Sequence, residues 1–239
     1  IRNYWWETGT PTFLLKALRD SFQFDLSEVE AGSSLFESYT LESLDWKNLL
    51  FQTGYLTLHA YDPEVRLYTL GYPNLEVQDA MYQHLLAAYR HSVTSDTQAL
   101  YARLKRALDA GDLSAAMAQV DVLFATIPYQ LFEARREGFF HAILHITFQG
   151  LGLLTQSEVS RSKGRVDTVV HSRSGIYVME FKLDESAEAA LTQIREQRYG
   201  SAYLGGEQPV IAVGVSFSSQ SRTVAEWEAR PYEALLAEG

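Results

Sequence analysis

The chain has 239 residues, 46% hydrophobic and 21% charged, which suits a soluble globular protein of one large or two small domains. A formal net charge of −10, divided as −7 over residues 1–127 (9 basic, 16 acidic) and −3 over 128–239, excludes a protein that coats nucleic acid through bulk charge. Zero cysteines exclude disulfides and thiolate metal sites, and no apolar run nears the ~20 residues that span a bilayer, so a cytoplasmic protein with no membrane partner is expected.

The opening, IRNYWWETGT, has no basic and apolar signal-peptide pattern and no initiating Met, so the chain is expected to be a piece of something longer. Residues 10–31 are expected to be helical, with Pro11 in the first turn and Phe13, Leu14, Leu15, Ala17 and Leu18 as an apolar face. EAGSSLFESYTLES then reads as loop and turn. A short helix follows in LESLDWKNLLFQ, then a break at Thr53-Gly54, a strand from Tyr55 to His59, a turn at Asp62-Pro63 and a strand from Val65 to Leu70. Asn74 is suited to cap the next helix, LEVQDAMYQHLLAAYRH. Helix, strand, strand, helix in this order resembles a winged-helix module.

Residues 95–127 are expected to form two helices joined at DAGD, with Leu100, Leu104 and Leu108 repeating at i, i+4 and Pro128 ending the second. From Tyr129 the character changes. LFEARREGFFHAILHITFQGLG reads as an apolar helix, followed by strands near 156–160, 165–171 and 176–182. A helix to about residue 204, the strand PVIAVGVSF and an edge strand in TVAEWEARPYE complete an α/β (α+β) mixed sheet flanked by helices. Three segments are expected: 1–94, 95–127 as a helical connector, and 128–239.

The chemistry concentrates in GRVDTVVHSRSGIYVMEFK. Side chains alternate along a strand, so Glu180 and Lys182 share one face with Val178, while Tyr177, Met179, Phe181 and Leu183 pack under a helix from the other. A hairpin turning near HSRSG sets Asp167 beside Glu180. Two neighbouring carboxylates repel unless they share a proton or a cation, and with oxygen ligands and no cysteine the natural ion is Mg²⁺ or Mn²⁺. Lys182 then lies where it can stabilise charge developing on a phosphate. The same residues also fit an exposed hairpin face on which Lys182 bridges an acid.

The spacing Asp167-x(12)-Glu180-x-Lys182 resembles the PD-(D/E)XK nucleases. More specifically, EGFFHAIL, SEVSRSKGRVDTVV, IYVMEFKLDESAEAALTQI and VIAVGVSF resemble the PD-(D/E)XK domain that follows AAA-ATPase-like regions in bacterial proteins. NYWWETGTPTFLL, LLFQTGYLTL and LGYPNLEV look like the end of such a region and the module after it, though no G-x(4)-G-K-[ST] loop is present and Val166 stands where the family's name has proline. The resemblance implies a restriction-endonuclease-like fold and hydrolysis of phosphodiester bonds, in DNA in the first instance.

It implies metal binding by Asp167, Glu180, the Phe181 carbonyl and an acid of the first helix. Glu137, four residues before His141, fits the last role better than Glu133. Asp167, Glu180 and Lys182 would be catalytic together with Gln193, with Tyr199 carrying less of the resemblance. Arg161, Lys163 and Arg165 would contact phosphates. Expected partners are nucleic acid, an N-terminal ATPase-like region and a second copy of the chain. The alternative is a catalytically silent nuclease-fold binding or scaffold module that depends on that ATPase-like region.

Overall fold

The computed structural model describes Leu14, Leu15, Leu18 and residues 26–36, 45–128, 136–155 and 168–238, with backbone alone for 136–138 and 152–155. The chain divides into two compact units, Ile1–Ala88 and Tyr89–Gly239.

The first unit is built around a three-stranded antiparallel sheet of order β1-β3-β2, from β1 (Val29–Ala31), β2 (Thr57–Asp62) and β3 (Leu67–Gly71). Helix α1 (Trp46–Gln52) starts at Asp45, whose carboxylate accepts from the Lys47 amide. Between β2 and β3 the Asp62 carboxylate accepts the Glu64 and Val65 amides, an Asx turn that reverses the chain. Asn74 caps α2 (Leu75–Tyr89) by accepting from the Val77 amide at 2.9 Å, as the sequence predicts. Val77, Met81 and Leu85 are buried on one side of that helix and Tyr82, Leu86 and Tyr89 on another, so most of its surface is covered. The structure corrects one element. Val29–Ala31, inside the stretch predicted as helix, is a strand paired with β3 from Val29↔Leu70 to Ala31↔Tyr68.

The second unit carries the mixed sheet, of order β4-β5-β6-β7: β4 (Thr168–His171), β5 (Ile176–Leu183), β6 (Val210–Ser218) and β7 (Thr223–Pro231). Among the described strands of this sheet only the β5–β6 pair is parallel. The crossover between them is helix α6 (Ala187–Glu196), and a short α7 (Tyr232–Ala237) closes the chain. Strands buried on both faces read as continuous apolar runs, and the first six residues of β5 are all buried.

One face is covered by α3 (Thr94–Asp109), α4 (Leu113–Ala125) and α5 (Arg136–Thr155). Leu100, Leu104 and Leu108 are buried as the i, i+4 spacing predicts. Phe124 of α4 and Phe140 of α5 stack at 4.9 Å, and Phe124 meets Phe217 of β6 at 5.0 Å. Phe148 of α5 stacks on Phe181 at 5.7 Å. The α3–α4 pair therefore belongs to the compact unit of the sheet. It is also pinned at both ends. Ser172, Ser174 and Tyr177 all donate to the Leu108 carbonyl, and the Val224 amide donates to Asp121 at 2.7 Å.

The opposite face packs under α6 and α7. Val169, Val178 and Ala212 of the sheet meet Leu191 and Ile194 of α6 and Tyr232 and Leu235 of α7. The predicted helix to residue 204 ends earlier, at Glu196, and is followed by a single 3₁₀ turn at Ser201–Tyr203. The strand expected near 156–160 lies outside the described residues.

Candidate active site

Because β5 alternates, Val178, Glu180 and Lys182 share the face that α6 covers. Glu180 is only 3% exposed, so this is no open polar face. Lys182 Nζ donates to Glu180 Oε1 at 3.4 Å, with side-chain exposures of 20% and 4%. The same ammonium donates to Gln193 Oε1 from α6. Gln193 Nε2 in turn donates to the Tyr199 hydroxyl at 3.4 Å. Glu180, Lys182, Gln193 and Tyr199 thus form one hydrogen-bonded row, from the centre of the sheet to the far end of α6.

The position of α6 sets this row, and four residues fix α6. Ser186 caps it through the Ala189 amide, and Glu226 on β7 accepts the Ala187 amide at 2.7 Å. Ser216, opposite Lys182 in the parallel register, donates to the Glu185 carbonyl. Gly214, opposite Glu180, is where the helix touches down: a Cβ there would lie 2.2 Å from the Ala187 carbonyl oxygen and 3.0 Å from Leu191 Cγ. Glycine is the residue that allows the first turn of α6 to lie on the strand beside Glu180. A glycine inside the apolar run PVIAVGVSF is the sequence signal for such an approach.

At its other end α6 closes in a Schellman motif. The Arg198 amide donates to the Arg195 carbonyl and the Tyr199 amide to the Ile194 carbonyl, with Arg198 at φ +54°. That turn folds Tyr199 back onto the core cluster beside Ile194 and brings its hydroxyl to Gln193. Ser216, Glu226 and Arg198 also support the row and carry no signature that a reading of spacing alone would select.

Of the residues expected at the site, the structure brings Glu180, Lys182 and Gln193 together. Phe181 points its ring to the opposite face, against Phe148 and Phe217, and its backbone lies between the two charged residues. Asp167, Glu133, Glu158, Arg161, Lys163 and Arg165 lie outside the described residues, as does the side chain of Glu137, whose backbone belongs to α5. Among the described residues no three histidine, aspartate or glutamate side chains form a group that could hold a metal ion. No helix among the described residues is long and apolar enough to cross a membrane.

Comparison with known proteins meets this geometry from a separate direction. The chain is 35% identical over 238 residues to the uncharacterized protein in the vnfD 5′ region of Azotobacter chroococcum mcd 1, covering 94% of this chain and 45% of that protein. It therefore spans less than half the length of that curated relative. No solved structure matches the chain. Residues 135–227 match the PD-(D/E)XK nuclease superfamily, and the match covers the sheet from β4 into β7 with the helix on either side of Glu180 and Lys182. Residues 135–227 are a PD-(D/E)XK nuclease superfamily domain.

Proposed function

We propose that the second unit is a Mg²⁺- or Mn²⁺-dependent phosphodiesterase that hydrolyses nucleic acid, DNA in the first instance. The observation that carries the reading is the row on β5 and α6. A carboxylate buried to 3% exposure has an ammonium 3.4 Å away, and that ammonium is held from its other side by a glutamine carbonyl.

The second carboxylate is Asp167. The β4–β5 ladder has Thr168 opposite Met179, and in sequence Asp167 directly precedes Thr168 as Glu180 directly follows Met179. That donor set is all oxygen, carboxylates plus the Phe181 carbonyl and Glu137, and it suits a hard divalent ion. When bound, the ion would supply positive charge that polarises a phosphate oxygen.

The chain's own residues do the rest. Lys182 places its ammonium where negative charge grows on the phosphate as water attacks in line. Glu180 and Gln193 hold that ammonium from two sides, so it needs no reorganisation when the charge appears. Tyr199 fixes the amide of Gln193 so that its oxygen faces Lys182. Arg161, Lys163 and Arg165, on the approach to Asp167, contact the flanking phosphates. The remainder of the longer protein, including an ATPase-like region, would deliver or gate the substrate.

The test is cleavage of linear, circular and single-stranded DNA and of RNA, in Mg²⁺, Mn²⁺ and EDTA. Metal-dependent cleavage is expected, falling at least about 100-fold in Asp167→Ala, Glu180→Gln and Lys182→Ala. Cleavage that survives Lys182→Ala or Asp167→Ala refutes the site. Nucleic acid that is bound but never cut, with no Mn²⁺ bound, is the outcome expected of a silent nuclease-fold module instead.

A further inference from the structure

Lys182 is held by two acceptors of different kinds. The carboxylate of Glu180 accepts at 3.4 Å, longer than the ~2.7–2.9 Å of a close charge-assisted hydrogen bond, so the ammonium is not seated on it. On the other side the acceptor is neutral, the Oε1 of Gln193. Among the described residues no other acceptor meets Lys182. The orientation of the Gln193 amide follows from its donors. Turned over, it would present an NH₂ group to an ammonium, donor against donor. With its oxygen on Lys182, Nε2 is left to reach the Tyr199 hydroxyl at 3.4 Å.

Glu180, only 3% exposed, is a buried carboxylate that already draws a cation, which suits the divalent ion of the proposed function. One carboxylate then has to serve two cations. An ammonium seated on Glu180 would take the negative charge that the ion needs, and two cations on one carboxylate repel each other. A neutral acceptor on the far side of Lys182 meets both difficulties. It takes an N–H without cancelling the charge, so the ammonium stays positive for the phosphate and stands off the carboxylate for the ion. An apolar side chain at this place would let the ammonium fall onto Glu180, and a carboxylate would neutralise it.

We propose that Gln193 is a positioning residue for metal binding: by holding Lys182 back, it keeps Glu180 open to a divalent ion. The proposal rests on the nuclease reading above and gives Gln193 a defined task within it. Gln193 acts through Lys182 and is not itself a ligand of the ion.

The experiment is Mn²⁺ binding to the full chain without nucleic acid, with the free ion counted by electron paramagnetic resonance at fixed pH and salt. It compares the wild type with Lys182→Met, Gln193→Leu, Gln193→Glu and the double variant Lys182→Met/Gln193→Leu, each checked for folding by circular dichroism. Lys182→Met should bind Mn²⁺ at least about 10-fold more tightly, because the competing charge is gone. Gln193→Leu should bind it about 10-fold more weakly, the usual scale for an outer-shell partner. The double variant should match Lys182→Met, since Gln193 has nothing to hold once the ammonium is removed.

A Gln193→Leu chain that binds Mn²⁺ as the wild type does overturns the proposal. So does a loss that persists in the double variant, because Gln193 then acts without Lys182, and so does a Lys182→Met chain that binds no more tightly than the wild type. Should Gln193→Leu fail to fold, Gln193→Glu decides: it keeps an acceptor on Lys182 and should bind Mn²⁺ at least as tightly as the wild type, and weaker binding refutes the idea. If any of these failures occurs while the wild type binds Mn²⁺ and cuts nucleic acid, the nuclease reading stands without this role for Gln193. A wild-type chain that binds no Mn²⁺ sinks the nuclease reading, and the proposal with it.

Discussion

Gly214→Ala tests whether the site depends on how closely α6 lies on the sheet. The added methyl would sit 2.2 Å from the Ala187 carbonyl oxygen, a backbone atom that cannot rotate away, and 3.0 Å from Leu191 Cγ. Restoring an ordinary contact requires the first turn of α6 to move about 1 Å off β6, at a cost of about 1–3 kcal/mol for overpacking. Alanine in a strand gains about 0.5–1 kcal/mol over glycine, so the net loss is centred on about 1 kcal/mol and reaches at most about 2.5 kcal/mol. For a unit of this size a loss of about 1 kcal/mol lowers the melting temperature by roughly 2–4 °C.

The same shift moves Gln193 relative to Lys182, and a 1 Å misplacement of a positioning group costs up to about 100-fold in rate. Urea unfolding followed by circular dichroism reads the stability, and cleavage under single-turnover conditions reads the rate. Gly206→Ala is the control, since its nearest new neighbour is the Tyr203 carbonyl oxygen at an ordinary 3.7 Å. The reasoning fails if Gly214→Ala matches or exceeds the wild type in stability, as strand propensity alone would have it.

The α3–α4 pair should prove inseparable from the sheet: a fragment of residues 128–239 is expected to show no cooperative unfolding because it uncovers Phe140 and Phe217, while residues 89–239 unfold as one transition. Tyr177→Phe is expected to cost less than about 1 kcal/mol in urea, because Ser172 and Ser174 still donate to the Leu108 carbonyl, and the Ser174→Ala/Tyr177→Phe double variant more than the sum of the singles. Burial pushes the His84 imidazole down to about 4, so between pH 6.5 and 4 the unfolded chain takes up a proton that the folded chain refuses. Stability should therefore fall as pH drops through that window and stay level above it. His84→Gln should remove about 1–2 kcal/mol of the fall, discounted for the partial exposure of the ring, as read from urea midpoints at pH 7 and pH 4.5.

The parts legible in sequence were those governed by local chemistry. Asn74 caps α2 because an Asx side chain next to an apolar-periodic stretch has few other uses. The β4–β5 hairpin turned where HSRSG said it would, and the i, i+4 leucines of α3 are buried. The illegible parts depend on partners distant in sequence. β1 is three residues long, too short to show a period, and exists because β3 supplies its hydrogen bonds. The end of α6 is set by a left-handed arginine where pattern reading looks for glycine, so the predicted helix overran to residue 204. At the site, strand alternation put Glu180 and Lys182 on one face, and the family resemblance alone singled out Gln193. That α6 covers them was not legible, because alternation along a strand separates two faces without saying what covers either.

That burial bears on why charges sit in β5 at all. Taking Glu180 and Lys182 out of water costs several kcal/mol per ion, less for Lys182 with its 20% exposure. Their attraction at 3.4 Å, with an effective dielectric constant near 20, returns about 5 kcal/mol. The two sides roughly cancel, so the pair adds little to stability, and leucine and methionine in their places would hold the sheet to α6 at least as well. The same holds for Gln193, which lies on the flank of a helix whose other contacts are Ala190, Leu191 and Ile194. Packing therefore explains Val178, Phe181, Leu191 and Ile194, and it does not explain the three polar side chains among them. Their mutual geometry sets them apart, an ammonium fixed between a carboxylate and an amide oxygen, and the proposed phosphate chemistry is the reading under which that arrangement has a use.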